Sequence, residues 1–144
     1  NARYTYSRRT FEPSPWTPAL STLRDRLNAE GPVTFNSVLG NLYRDGKDSM
    51  GCHADNEPEL GADPVIASLS LGGTRRLSFH HNEKSAPRVS LDLEDGCLLW
   101  MTGSTQRFWR HSLPKTARKV PPRINLTFRK IIALDEISTE ADDS

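Results

Sequence analysis

The sequence predicts a mainly β domain, a β-sandwich or jelly roll with one or two supporting helices. Three observations predict it. Beyond Gly31-Pro32 the chain breaks into six short stretches of strand-forming composition. Asp45-Gly46, Gly72-Gly73 and Asp95-Gly96 punctuate them as turns. No helical periodicity intervenes between them, which argues against a parallel α/β sheet. A sandwich or roll of short strands fits such a pattern.

The elements follow in order. Pro13, Pro15 and Pro18 break up the early sequence, and Thr17 followed by Pro18 reads as an N-cap and first helical position. Leu20, Leu23 and Leu27 recur at helical spacing, so one amphipathic helix is expected from about Pro18 to Ala29, ended by Gly31-Pro32. The expected strands are Thr34–Tyr43, Val65–Leu71, Arg76–His80, Val89–Leu93, Cys97–Met101 and Ile124–Ile132. There is no internal repeat. The segment after Asp135 reads as a frayed acidic tail.

At 144 residues the chain has the size of one domain. Hydrophobic residues make up 35% and charged residues 26%, the composition of a globular protein on the polar side. No run approaches the roughly 18 apolar residues that cross a bilayer, and no signal-peptide pattern opens the chain. The expected location is therefore cytoplasmic or nuclear. Cys52 and Cys97 lack the number for a disulfide framework and the spacing of a zinc knuckle, and read as reduced thiols. The net charge of +1 hides an asymmetry: eight Lys or Arg and no acid between Arg107 and Leu134, then five acids and no base from Asp135 to Ser144. A basic strip suits a polyanion, but such runs are more often solvated surface, and charge alone does not decide.

Two constellations carry chemistry. In an extended strand His53 and Asp55 project from one face, an imidazole beside a carboxylate. A third metal ligand must come from His80, His81 or His111, the other histidines of the chain. Two histidines and one carboxylate with open positions is the arrangement of non-haem Fe(II) oxygenases. The second constellation is Arg123-Ile124-Asn125-Leu126-Thr127-Phe128-Arg129, which alternates strictly. Arg123, Asn125, Thr127 and Arg129 share one face, and Ile124, Leu126 and Phe128 the other. Two arginines flanking an amide and a hydroxyl suit a dicarboxylate, because the guanidinium fork matches a carboxylate. Asn41 and Tyr43 put an amide and a phenol on one face just before the His53 segment.

These runs, with Asn41-Leu42-Tyr43-Arg44-Asp45-Gly46 and Ala67-Ser68-Leu69-Ser70-Leu71-Gly72, resemble the AlkB family in order and spacing from about Tyr4 to Ile132. The resemblance implies a double-stranded β-helix of jelly-roll type holding Fe(II) and the cosubstrate 2-oxoglutarate. His53, Asp55 and His111 are then the metal ligands, His111 because Gln106–Pro114 resembles the family's distal-histidine segment, with no catalytic residue beyond them. Asn41, Tyr43, Arg123, Asn125 and Arg129 hold 2-oxoglutarate, and Trp100 lines the same cavity or sits in the core. Tyr4, Tyr6, Asn56, Glu57 and Arg75 face the substrate, a nucleic acid with alkylated bases; Asn56 stands where an acid is usual. His80 and His81 are non-ligands. Cys52 stands where many relatives have tryptophan, and reads as buried. The implied reaction is oxidative dealkylation of bases in DNA, with RNA as a further substrate, releasing succinate, CO2 and formaldehyde. Residues 1–134 form the catalytic core of a monomer, the chain starting within the substrate lid, and residues 135–144 the tail.

Three rivals stay open on the residues alone. The same iron site serves dioxygenases acting mainly on RNA or on protein side chains. A zinc hydrolase uses two histidines and a carboxylate but has no need of the Arg123/Arg129 wall. A catalytically inactive binding module is the third.

Overall fold

A computed structural model describes residues 4–6 and 9–132, of which residues 4–6 and 9–11 are described by their backbone alone. The expected acidic tail lies outside the described residues. Ten strands, two helices and one 3-10 turn make up the described chain. Strands β1 (Tyr4–Tyr6) and β2 (Arg9–Phe11) form an antiparallel hairpin. Helix α1 follows (Pro18–Glu30), its N-cap Thr17 accepting from the Leu20 backbone N–H, with Pro18 in the first turn.

The body is two four-stranded antiparallel sheets, the layout of a jelly roll. The larger contains β3 (Ser37–Tyr43), β10 (Arg123–Arg129), β5 (Ile66–Gly72) and β8 (Leu98–Met101) in that spatial order. The smaller contains β4 (Met50–His53), β9 (Trp109–Leu113), β6 (Arg75–His81) and β7 (Val89–Leu93). Helix α2 (Thr105–Phe108) leads directly into β9. Four of the ten strands, β1, β2, β4 and β9, are absent from the sequence-based expectation, and the others lie within a few residues of it.

Strand alternation divides the apolar residues between two cores. Tyr43, Ile66, Leu77, Phe79, Leu93, Met101 and Leu113 pack together between the sheets. Leu27, Phe35, Ala67, Leu126 and Phe128 pack with Leu20, Leu23 and Trp100 where α1 covers the outer face of the larger sheet. Trp100 therefore points to the helix side, against Phe35 at 5.8 Å between ring centroids, and takes the core role rather than the cavity one. Its neighbour Met101 faces inward. At the β5–β6 turn Gly72 adopts φ +88°, and a side chain there would run into the Pro122 carbonyl. That close approach seats the start of β10 against the end of β5.

Candidate active site

Strand pairing builds the centre. β4 and β9 are antiparallel neighbours, and His53 is the cross-strand partner of His111, their rings 4.4 Å apart. β4 ends at His53, so Asp55 lies just past the strand rather than on it. The two side chains still converge: His53 Nε2 is 3.8 Å from Asp55 Oδ1, and His111 Nε2 is 3.9 Å from Asp55 Oδ2. One donor atom from each of the three residues lies within 4.8 Å of the others. His53 Nδ1 sits 2.8 Å from the Gly51 carbonyl, to which it donates, and Nε2 is the ring nitrogen that faces Asp55. Burial pushes the His111 imidazole down to about 4, helped by the neighbouring His53 and opposed by Asp55. His111 is thus neutral near pH 7 and forms no ion pair with Asp55, and the two contacts of 3.8 and 3.9 Å are too long for hydrogen bonds. Two imidazoles turned toward a carboxylate that is 2% exposed form a cluster suited to a cation.

Neighbouring groups hold Asp55 from both ends. Its backbone N–H donates to Gln106 Oε1 on α2 at 2.8 Å, and its Oδ1 accepts from the Arg129 guanidinium at 3.0 Å. Gln106 is itself buried and reaches Met101 Sδ at 3.5 Å. Sequence reasoning missed Gln106; its position one turn ahead of His111 is the only signal, and a weak one.

The alternating strand supplies the second wall. β10 lies between β3 and β5, with Arg123 opposite Tyr43 and Asn125 opposite Asn41 and Ser70. Arg123, Asn125, Thr127 and Arg129 line one cavity with Asn41, Tyr43, His53, Asp55 and His111. The cavity measures about 50 Å3, several times the roughly 10–15 Å3 that one water needs. A chain of hydrogen bonds orders the wall: Arg123 donates to Ser70 Oγ and Asn125 Oδ1, Ser68 Oγ donates to the same Asn125 oxygen, and Asn125 donates to Thr127. Arg123 is 2% exposed, its guanidinium 5.2 Å from the Tyr43 ring, and its Nε has no hydrogen-bond partner. No carboxylate accepts from it among the described residues. Burial lowers its pKa and nearby Arg75 lowers it further, while burial raises that of Tyr43. A buried guanidinium with an unmet donor, in a cavity whose single carboxylate is already shared, fits an anionic ligand.

Of the expected substrate residues that are described, Asn56, Glu57 and Arg75 do not line this cavity. Arg75 is 3% exposed and donates to three backbone carbonyls, those of Asp45, Asp48 and Pro114. Its guanidinium also lies 5.8 Å over the Tyr43 ring. Instead of reaching a base, it ties the β3–β4 loop to the end of β9. Asn56 is exposed and faces a neighbouring groove, and Glu57 leads into the 3-10 turn Pro58–Leu60. The side chains of Tyr4 and Tyr6 lie outside the described part of the structure. Cys52 is exposed on that groove, not buried as expected, and His80 and His81 line it as well. The basic strip is not one surface. Arg110 lines the groove, whereas Lys115 to Lys119 follow the opposite end of β9, where Arg118 adds to the field that lowers the Asp92 carboxylate behind its hydrogen bond with Arg76.

Fold and site together define a protein class, and the chain belongs to it: residues 1–129 match the 2OG-Fe(II) oxygenase superfamily. The residues that fit a metal and an anion are those described above. Among particular relatives, the chain is 48% identical over 139 residues to alpha-ketoglutarate-dependent dioxygenase alkB homolog 3 of Mus musculus, covering 89% of this chain and 48% of that protein. It is 44% identical over 136 residues to DNA oxidative demethylase ALKBH2 of Mus musculus, covering 90% of this chain and 57% of that protein. The chain spans about half the length of these relatives. The solved structure of OsALKBH1 superposes with a TM-score of 0.56 at 23% identity, over 78% of this chain and 60% of that one, and shows the same fold.

Proposed function

We propose that this protein is an oxidative demethylase that removes alkyl groups from bases of DNA, and of RNA as a further substrate, using Fe(II), O2 and 2-oxoglutarate. One observation carries the reading: the alternating face of β10 delivers Arg123, Asn125 and Arg129 into the cavity that also holds His53, Asp55 and His111. A zinc hydrolase would have no use for that cationic wall. The similarity to alkB homolog 3 and to a DNA oxidative demethylase supports the choice of an alkylated base as substrate.

His53, Asp55 and His111 would hold Fe(II), and Asn41, Tyr43, Arg123, Asn125 and Arg129 the cosubstrate. Fe(II) and 2-oxoglutarate held there would, with dioxygen, supply the oxidant for hydroxylating a methyl carbon on a base nitrogen, with formaldehyde and the unmodified base, still attached to its sugar, as products. The chain's own part is positional. Neutral His111 offers a lone pair without having to lose a proton. Arg129 donates to Asp55 Oδ1 and fixes the rotamer of that carboxylate. Arg123 grips a carboxylate deep in the cavity, where the apolar walls of Leu39, Leu77 and Leu113 exclude water. A base reaches this cavity only after leaving its stack. We further read residues 1–134 as the catalytic unit, and a cytoplasmic or nuclear location. No helix among the described residues is long and apolar enough to cross a membrane.

The test is succinate and formaldehyde release from methylated oligonucleotides in the presence of Fe(II), ascorbate and 2-oxoglutarate. Asp55→Ala is expected to abolish both and to remove Fe(II) binding. Full turnover by that variant would overturn the ligand assignment, and release from methylated peptides alone would overturn the substrate class.

A further inference from the structure

The segment from Cys52 to Asn56 has two working faces. His53 and Asp55 point into the metal cavity, while Cys52, Ala54 and Asn56 line a groove on its other side. One thickness of backbone therefore separates the two. The groove measures about 530 Å3, within the roughly 300–1,000 Å3 of ligand sites. Its lining contains no carboxylate. Lys84 and Arg110 are exposed there and have no ion-pair partner among the described residues, whereas Arg107 is held by Asp63 at 2.8 Å. One wall is aromatic. Trp109 meets His81 edge-on at 4.8 Å within the lining, and exposed Phe108, outside it, lies parallel to His81 at 6.2 Å. His81 is held in place because its Nδ1 accepts from the Glu83 backbone N–H at 3.0 Å.

Free cations that share a groove with half-buried rings form the recognition surface of a single strand, whose phosphates seek charge and whose unstacked bases offer a face. We propose that this groove is a second nucleotide subsite, taking the nucleotide next to the alkylated one, with its phosphate between Lys84 and Arg110 and its base against His81 and Trp109. The inference rests on the proposed function and deepens it: the substrate is a single strand of at least two nucleotides, because a paired neighbour keeps its base within the duplex.

The experiment compares a five-nucleotide single strand carrying one N-methylated adenine with the same methylated base as a mononucleotide. Wild type is expected to bind the pentamer more tightly. Lys84→Ala with Arg110→Ala should shrink the pentamer-to-mononucleotide affinity ratio and flatten the log–log salt slope by about 1.4, roughly 0.7 for each lost contact on a single strand. His81→Ala should weaken pentamer binding roughly fivefold or more through lost stacking, with the salt slope unchanged, and His81→Phe should restore it. Thermal melting confirms that each variant is folded, and the two sets test the subsite through different residues. Wild type that dealkylates neither substrate overturns the proposed function and this subsite with it. Wild type active on the pentamer, with variants that bind it equally tightly and keep the wild-type slope, overturns the subsite alone.

Discussion

Replacing Arg75 by Met removes three hydrogen bonds made by one buried guanidinium, to the carbonyls of Asp45, Asp48 and Pro114. At about 1 kcal/mol net for each bond, with some carbonyls regaining water, the loss is on the order of 3 kcal/mol. That is a large share of the 5–15 kcal/mol that typically separates folded from unfolded domains. With a urea dependence of about 2 kcal/mol/M, the unfolding midpoint should fall by roughly 1.5 M. Arg75 also backs the Tyr43 ring, whose other neighbour is Arg123, so the loosened β3–β4 loop should weaken 2-oxoglutarate binding about tenfold, equal to roughly 1.4 kcal/mol. Arg75→Lys keeps the charge but not the planar fork, and should lose about half as much stability. Urea melts and 2-oxoglutarate titrations measure both effects. An unchanged midpoint, with the loss confined to nucleic-acid binding, would refute the clamp and return Arg75 to the substrate side that its sequence context suggests.

Three further outcomes are expected. Arg129→Lys should weaken Fe(II) and 2-oxoglutarate binding together, because Arg129 bonds the ligand Asp55, whereas Arg123→Lys should weaken only 2-oxoglutarate binding; calorimetric titration separates them. Gln106→Leu leaves the buried Asp55 N–H without an acceptor, and Mn(II) affinity should drop roughly 10- to 100-fold, the usual effect of removing a group that orients a ligand. Arg118→Ala with Lys119→Ala should leave the salt slope of oligonucleotide binding unchanged; a flattened slope would place phosphates at that end of β9.

The readable parts of the site were those in which local alternation and function coincide. β10 shows its polar face in the order of its residues, since a strand's period of two survives burial of both faces. The His53–Asp55 pair was legible for the same reason, although the strand stops at His53. β9 was missed because its charged and aromatic residues mask a clean alternation of Trp109, His111 and Leu113 against Arg110 and Ser112. Arg75 and Gln106 were unreadable for a different cause. Their partners are backbone groups far along the chain, and no side-chain pattern announces where a carbonyl will lie. The layout of the basic strip was not legible because charge counted along the sequence ignores that β9 separates its two halves.

The last described strand of the chain is an interior strand of its sheet. β10 pairs with β3 on one side and β5 on the other, so both earlier strands wait for it with open edges. During synthesis the larger sheet cannot close until Arg123–Arg129 has emerged, and a chain cut before Arg123 would expose two unpaired edges and both cores. Pairing between segments so distant in sequence makes closure slow. The strand that closes the sheet also carries Arg123, Asn125 and Arg129, so a chain that has not finished folding has no wall for a cosubstrate, and partly made molecules stay inert.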